Sequence, residues 1–389
     1  MLPWYRRVPL AWANLRHNFR RLLMAALGIG FAVLLFFMQL GFQGALYDST
    51  VQVPLHLNAD LVIFNRNKTT ITVKNTFSRQ RLYVARACPG VAAAYPLYMD
   101  NRFSWKSAGQ GRSYAIRTLA FDPTQPILAV PEIVSQADKL LLPDTVLFDR
   151  LSKSDYGYPQ PGDKAQFAGD RVNVVGMFSL GTDFANDGNI VMSDITYVSA
   201  LFPAAQQAQA LEQIDIGLVR LVPGADLRQV EAELGRMLPP DVRVMTKAEF
   251  VRYEQKFWKT STPIGTVFGF GVALGFVVGV IICYQILYAD ITDHLREFAT
   301  LKAIGYRPRY FVVLVLQEAL LLSILGFVPG LLASEALYGL LGYMTGLLME
   351  LGWGRAVEVW VLTVAMCVLS GLLTMRKVLA ADPATLLFT

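Results

Sequence analysis

Two long stretches without a single charge, Leu22 to Tyr47 and Thr260 to Ala289, decide most of what this chain can become. A bilayer's hydrocarbon core takes about 20 residues of helix to cross, and inside it every backbone N–H and C=O must find a partner within the segment. Runs of this length exceed ordinary core helices, so both read as membrane-spanning helices. Two more follow. Tyr310 to Tyr338 is apolar apart from Glu318 and Glu335, and Val359 to Met375 is short but free of charge. The first run is also longer than a signal-peptide core of roughly 7 to 15 residues and reads as a retained helix. Composition agrees, with 17% charged residues in 389 against about 25% in soluble chains.

Orientation follows from lysine and arginine near the span ends. An amphipathic N-terminal segment, 1–21, carries Arg6, Arg7, Arg16, Arg20 and Arg21. The loop 290–309 carries Arg296, Lys302, Arg307 and Arg309, and the tail 376–389 begins Arg376-Lys377. The short loop 339–358 has Arg355 against Glu350 and Glu358. Both termini and the loop 290–309 are therefore expected in the cytoplasm, with residues 48–259 outside it between spans 22–47 and 260–289. Spans 310–338 and 359–375 complete an α-helical membrane protein with four transmembrane helices and one large outer domain.

That outer segment has the marks of an α+β domain. Apolar or alternating runs (Ala59 to Phe64, Val91 to Tyr98, Tyr114 to Phe121, Val172 to Phe178, Ile190 to Met192, Ile216 to Leu221, Val242 to Val244) are separated by Gly, Pro, Asn and Asp. Helices are expected at Ser78 to Arg86 and Asp226 to Met237, where Leu227, Val230 and Leu234 recur at helical spacing. Lys247 to Trp258 sets Phe250, Tyr253 and Phe257 on one helical face, with a kink expected at Pro263 before the second span. This helix and an extension of the first span toward Val51 would form a stalk. Cys283 and Cys367 fall in spans and Cys88 is alone outside, so no disulfide within the chain is expected.

Several chemistries lack a motif. No G-x-x-x-x-G-K-[ST] phosphate loop occurs, and Gly162-Asp163-Lys164 reads as a turn. His17, His56 and His294 are far apart in sequence and not at metal-ligand spacing, and there is no G-x-S-x-G elbow. Neither catalytic nor metal residues are assigned. A net charge of +5, with arginines gathered at hydrophobic ends, gives nucleic-acid binding no support.

The loop after the second span is more informative. In Asp290 to Gly305, Ile291, Leu295, Phe298 and Leu301 or Ile304 recur every three to four residues, opposite Asp293, Arg296, Glu297, Thr300 and Lys302. Gly305 suits a helix C-terminus and Pro308 stops continuation. Periodicity leaves two readings open: a connector lying on the membrane surface, or a coupling helix docking into a separate ATPase.

Resemblance decides between them. The string Arg296-Glu-Phe-Ala-Thr-Leu-Lys-Ala-Ile-Gly305, with Gln317-Glu318-Ala319 in the next span, resembles the signature region of MacB and FtsX type ABC permeases. Asn14-Leu15-Arg16 with Arg20-Arg21, Thr262-Pro263-Ile264-Gly265, Tyr284-Gln285-Ile286-Leu287 and Ala381-Asp382-Pro383-Ala384 are similar to the DevC subgroup. This resemblance implies a homodimer in the inner (plasma) membrane, with the large domain periplasmic. It further implies a separate ABC ATPase holding ATP and Mg, a membrane-fusion adaptor, a TolC-like outer-membrane channel and no cofactor on this chain itself. MacB carries its ATPase in the same polypeptide; this sequence has none. The implied outer domain is porter-like, with halves Asp48 to Ser154 and Ala208 to Phe257 and a Sabre-like lobe over 155–207. Asp293, Arg296, Glu297, Thr300, Leu301, Lys302 and Gly305 would form the ATPase contact. The implied cargo is amphipathic, a glycolipid if the subgroup holds. An FtsX-like activator of cell-wall hydrolases and a lipoprotein-release permease share the four-span plan.

Three further features carry competing readings. Gln317 and Glu318 lie inside the third span, where a carboxylate is costly and marks either conformational anchoring or transport chemistry. Gly271, Gly275 and Gly279 repeat every four residues, which lets helices pack closely in lipid, against general flexibility. Asp183 to Asn189 offers oxygen ligands and a glycine at a calcium loop's sixth position. Ala185 and Asp194 break that pattern, so a turn held by Asn and Asp side chains is expected.

Overall fold

A computed structural model describes residues 19–109, 111–293, 304, 308–345, 349 and 351–380. Among the described residues, four helices are long and apolar enough to cross a membrane: Leu22–Thr50, Ile264–Asp293, Val312–Leu341 and Trp353–Met375. A large α/β domain lies between the first and second in sequence. Two compact units result, one holding the spans and the other Ala45–Pro263.

In the span unit, the first helix is the common packing partner. Its Ala25, Ile29, Ala32, Val33, Phe36 and Phe37 are buried, and the same cluster includes Cys283 and Leu287 of the second span, Ala319 and Leu322 of the third and Met366 and Cys367 of the fourth. The Tyr338 hydroxyl donates to the Phe37 carbonyl. Ser370 in the fourth span donates to the Val280 carbonyl of the second at 3.0 Å.

The Ala45–Pro263 unit is built on thirteen strands: β1 (Leu61–Asn65), β2 (Phe77–Ser78), β3 (Val91–Asp100), β4 (Ser104–Ser107), β5 (Tyr114–Ala115), β6 (Arg117–Phe121), β7 (Thr145–Asp149), β8 (Lys164–Phe167), β9 (Asp170–Phe178), β10 (Asn189–Ser193), β11 (Gln213–Ile214), β12 (Ile216–Leu221) and β13 (Val242–Thr246). Eleven form one mixed sheet in the order β13-β1-β12-β3-β6-β10-β7-β9-β8-β4-β5, and β11 pairs with β2. Alternate residues feed opposite faces. Leu61, Ile63, Tyr98 and Ile190 join helices Gln80–Arg86, Asp194–Leu201 and Leu227–Met237 on one side. Val62, Phe64, Leu97 and Val191 join Phe250 and Ile133 on the other.

One strand links two halves of this sheet. Residues Val91 to Leu97 of β3 pair with β12, whereas Tyr98, Met99 and Asp100 pair with β6. The chain leaves along β3, builds the β6-to-β5 half from residues 104–193, and returns through helices Asp194–Leu201 and Ala204–Leu211. The pairing therefore crosses the lobe boundary expected at 155: β7, before it, pairs with β9 and β10 after it, and β4 pairs with β8. At the other end, residues 194–207 belong to the helical return. β4 and β8 are four-residue strands with polar alternate positions, too short to stand out as apolar runs.

The helix before the second span is Lys247–Ser261, opened by a capping box in which Thr246 and Glu249 exchange hydrogen bonds. It ends rather than kinks. Thr262 is extended, the conformation a following proline imposes, and the next helix begins at Ile264.

Candidate functional site

The expected ATPase contact falls largely outside the described residues. Asp293 closes the helix of the second span and is exposed. Arg296, Glu297, Thr300, Leu301, Lys302 and Gly305 lie beyond what the structure describes.

Within the spans, Glu318 is 1% exposed, beside Ala319 of the central cluster, while Gln317 is exposed. The three glycines of the second span look toward the first. A Cβ at Gly271 would meet the Gln39 amide at 2.5 Å; at Gly275 it would lie 3.4 Å from Phe36; at Gly279 it would lie 3.0 Å from Ala32 Cβ and overlap the Met366 sulfur. A second glycine pair, not singled out by the sequence reading, lies against backbone and Cβ atoms of the first span. A Cβ at Gly330 would come within 2.8 Å of the Gly30 carbonyl and 2.7 Å of Val33 Cβ, and one at Gly326 within 2.6 Å of Ile29 Cβ. The signal was present as Gly326-x-x-x-Gly330 across Pro329, masked by the proline.

Outside the spans, the most unusual chemistry is a buried charge network joining the helix Lys247–Ser261 to the loop after β1. Glu254 is fully buried and accepts from the Thr70 hydroxyl at 2.8 Å and the Ile71 amide at 2.7 Å. Burial pushes its carboxyl up to about 7, against those hydrogen bonds and the charge of Lys68. Lys68, 2% exposed, donates to the Val73 carbonyl at 2.6 Å, and the Tyr253 hydroxyl donates to the Lys68 carbonyl at 2.9 Å. Burial lowers the Lys68 ammonium below its ordinary value.

The network continues to the end of β3. Lys74 donates to Asp215 at 2.6 Å and to the Met99 carbonyl at 2.9 Å, and lies 3.6 Å from Asp100. Arg102 grips Asp100 with two bonds, 3.0 Å through Nε and 2.7 Å through the terminal nitrogen. Burial works to raise Asp100, but Arg102 and Lys74 outweigh it and hold the carboxyl below the usual range. At Asp215, fully buried, burial wins and the carboxyl is raised. Charges this deep cost several kcal/mol each unless paired, so the network holds the β3 crossover and the loop after β1 in one arrangement.

Glu254 was missed in the sequence because the helix face was drawn through Phe250, Tyr253 and Phe257. The buried stripe is Phe250, Glu254 and Trp258, spaced four apart. A carboxylate at the centre of an aromatic i, i+4, i+8 stripe was the available signal.

Asp183 to Asn189 forms a turn whose oxygens face protein donors. Asp183 pairs with buried Arg117 and accepts from the Ala185 amide at 2.8 Å. Asn189 accepts from Arg117 Nε at 2.7 Å and donates to Asp149 at 2.6 Å. Phe184 stands edge-on to Trp258, ring centres 5.6 Å apart, which ties this turn to the same helix as Glu254.

The periplasmic region of MacB from Actinobacillus actinomycetemcomitans is a structural neighbour at 12% identity and TM-score 0.35, covering 51% of this chain and 92% of that one. The extracellular domain of the noncanonic ABC-type transporter YknZ from Gram-positive bacteria is another, at 10% identity and TM-score 0.33, with coverages of 48% and 98%. No curated protein matches the chain. Residues 269–383, which contain nearly all of the second span, the loop after it and the third and fourth spans, match the family described as FtsX-like permease C-terminal.

Proposed function

We propose that this chain is the permease subunit of an ABC exporter of the MacB and FtsX type. In this reading a separate ATPase docks on the cytoplasmic loop 290–309, and its ATP cycle moves the domain between the first two spans. An amphipathic substrate, a glycolipid among the candidates, is driven outward through a membrane-fusion adaptor and a TolC-like channel. The working unit is a homodimer, with both termini cytoplasmic. The family match over 269–383 carries the proposal, because it spans the helices on both sides of that loop and the loop itself. The absence of a phosphate loop from the sequence supports placing ATP hydrolysis on a partner.

Glu297→Lys and Leu301→Asp should each reduce co-purification of the ATPase at least about tenfold while leaving the chain in the membrane. Either change sets a wrong charge, or a charge on the apolar face, into a docking surface. Pull-downs from native membrane that retain a normal ATPase-to-permease ratio in both variants would remove the loop as the docking element.

A further inference from the structure

The β3 crossover leaves a notch of about 310 Å³ between Arg102 and Phe103 on one side and the helices Asp194–Leu201 and Ala204–Leu211 on the other. That volume is at the lower end of small-molecule sites, which run about 300 to 1,000 Å³ and favour junctions between structural halves. Its apolar wall is made by Phe103, the Tyr197 ring, Phe202 and Ala210, and Gln206 and Gln209 add amides. The charges at its inner end are unequally presented. The Asp100 side chain is 1% exposed and that of Asp215 fully buried, whereas the Arg102 side chain is 62% exposed. Arg102 uses Nε and one terminal nitrogen on Asp100, its guanidinium carbon lies 5.9 Å from the Phe103 ring centre, and the other terminal nitrogen takes no part in the Asp100 pair. Lys74 is committed to Asp215 and the Met99 carbonyl. The sign offered to an incoming molecule is therefore positive, beside an aromatic wall.

We propose that this notch binds a small amphipathic carboxylate, its apolar body on Phe103, Phe202 and Tyr197 and its carboxylate on Arg102. A charge-assisted bond from a guanidinium already fixed by a buried partner loses little freedom on binding. Because the wall is shared between the β3 crossover and the helical return, occupancy bridges the two halves of the sheet. The site rests on its own lining and does not depend on the export reading.

The test uses the full chain in phosphatidylcholine nanodiscs and fluorine NMR titration with para-fluorohydrocinnamate, alongside the corresponding alcohol and amine. Wild-type protein should bind the carboxylate saturably, with the alcohol and amine at least about tenfold weaker. Arg102→Gln should weaken the carboxylate by about the same factor. Ala210→Trp fills the notch without touching the Asp100 pair and should abolish binding while the thermal unfolding transition stays in place. No saturable binding by wild type, unchanged binding by Ala210→Trp, or equal binding of all three probes would each overturn the proposal.

Discussion

Glu254→Ala should lower the unfolding temperature of the domain between the first two spans by about 10 °C. The substitution leaves the Ile71 amide and the Thr70 hydroxyl without their acceptor, at about 1 to 3 kcal/mol for each buried group left unsatisfied. It also removes the carboxylate near Lys68, which is itself buried. A combined loss of about 3 kcal/mol corresponds to roughly 6 to 12 °C for a domain of this size. Tryptophan fluorescence during heating of the full chain in detergent reports it, since Trp258 lies on the same helix. A shift under about 2 °C would mean that the carboxylate holds nothing in place.

The same residue predicts a pH dependence of definite sign. Its carboxyl is raised from 4.5 to about 7 in the folded chain, so the native state binds the proton more tightly than the unfolded state does. The stability contributed is complete below about pH 4.5 and is lost as pH rises through about 7. The full effect is about 3 kcal/mol at 1.36 kcal/mol per pH unit. Lys68 and Asp183 are the charged groups acting on it, with opposite signs. Glu254→Gln mimics the protonated form and should flatten this slope, leaving the variant at least as stable as wild type at pH 8. A variant whose unfolding temperature falls between pH 5 and 8 as steeply as that of wild type would assign the slope to other groups.

Gly330→Ile should cost more than any change at the glycines of the second span, with most of the protein lost from the monodisperse fraction after detergent extraction. The new Cβ would sit 2.8 Å from the Gly30 carbonyl oxygen and 2.7 Å from Val33 Cβ. Neither atom belongs to a flexible side-chain end, so the first and third spans must move apart. Overpacking of this kind costs about 1 to 3 kcal/mol or more, and lipid offers no hydrophobic driving force to restore the contact. Gly271→Ala meets only the end of the Gln39 side chain, which can swing away, and should extract normally. Equal yields of Gly330→Ile and wild type by fluorescence-detected gel filtration would exclude tight packing of the two helices.

The four spans were legible because the requirement behind them is local. About 20 apolar residues satisfy both the lipid and their own backbone, and no other part of the chain is consulted. The strands β1, β3, β9 and β12 were legible for a similar reason, being long enough to show their alternation or apolar run. β4 and β8 were not, since four residues with polar alternate positions show no apolar run and their pairing depends on partners far along the chain. Among the glycines, spacing picked out Gly271, Gly275 and Gly279 alike, although the distances differ widely among them and Gly326 and Gly330 sit closer to backbone.

By itself the sequence determined the membrane class, the single large domain between the first and second spans, and the loop whose residues resemble those of FtsX-type permeases. Only the tertiary structure decided which charges are buried and what they hold. Glu254 reaches Thr70 across 184 positions, Lys74 reaches Asp215 across 141, and Arg117 reaches Asn189 across 72. The partner in such a pair leaves no periodic trace, because the spacing of Phe250, Glu254 and Trp258 can mark a buried face but not the segment that the fold lays over it. Long-range pairing buries Glu254 and gives its carboxylate the Thr70 hydroxyl and the Ile71 amide as partners.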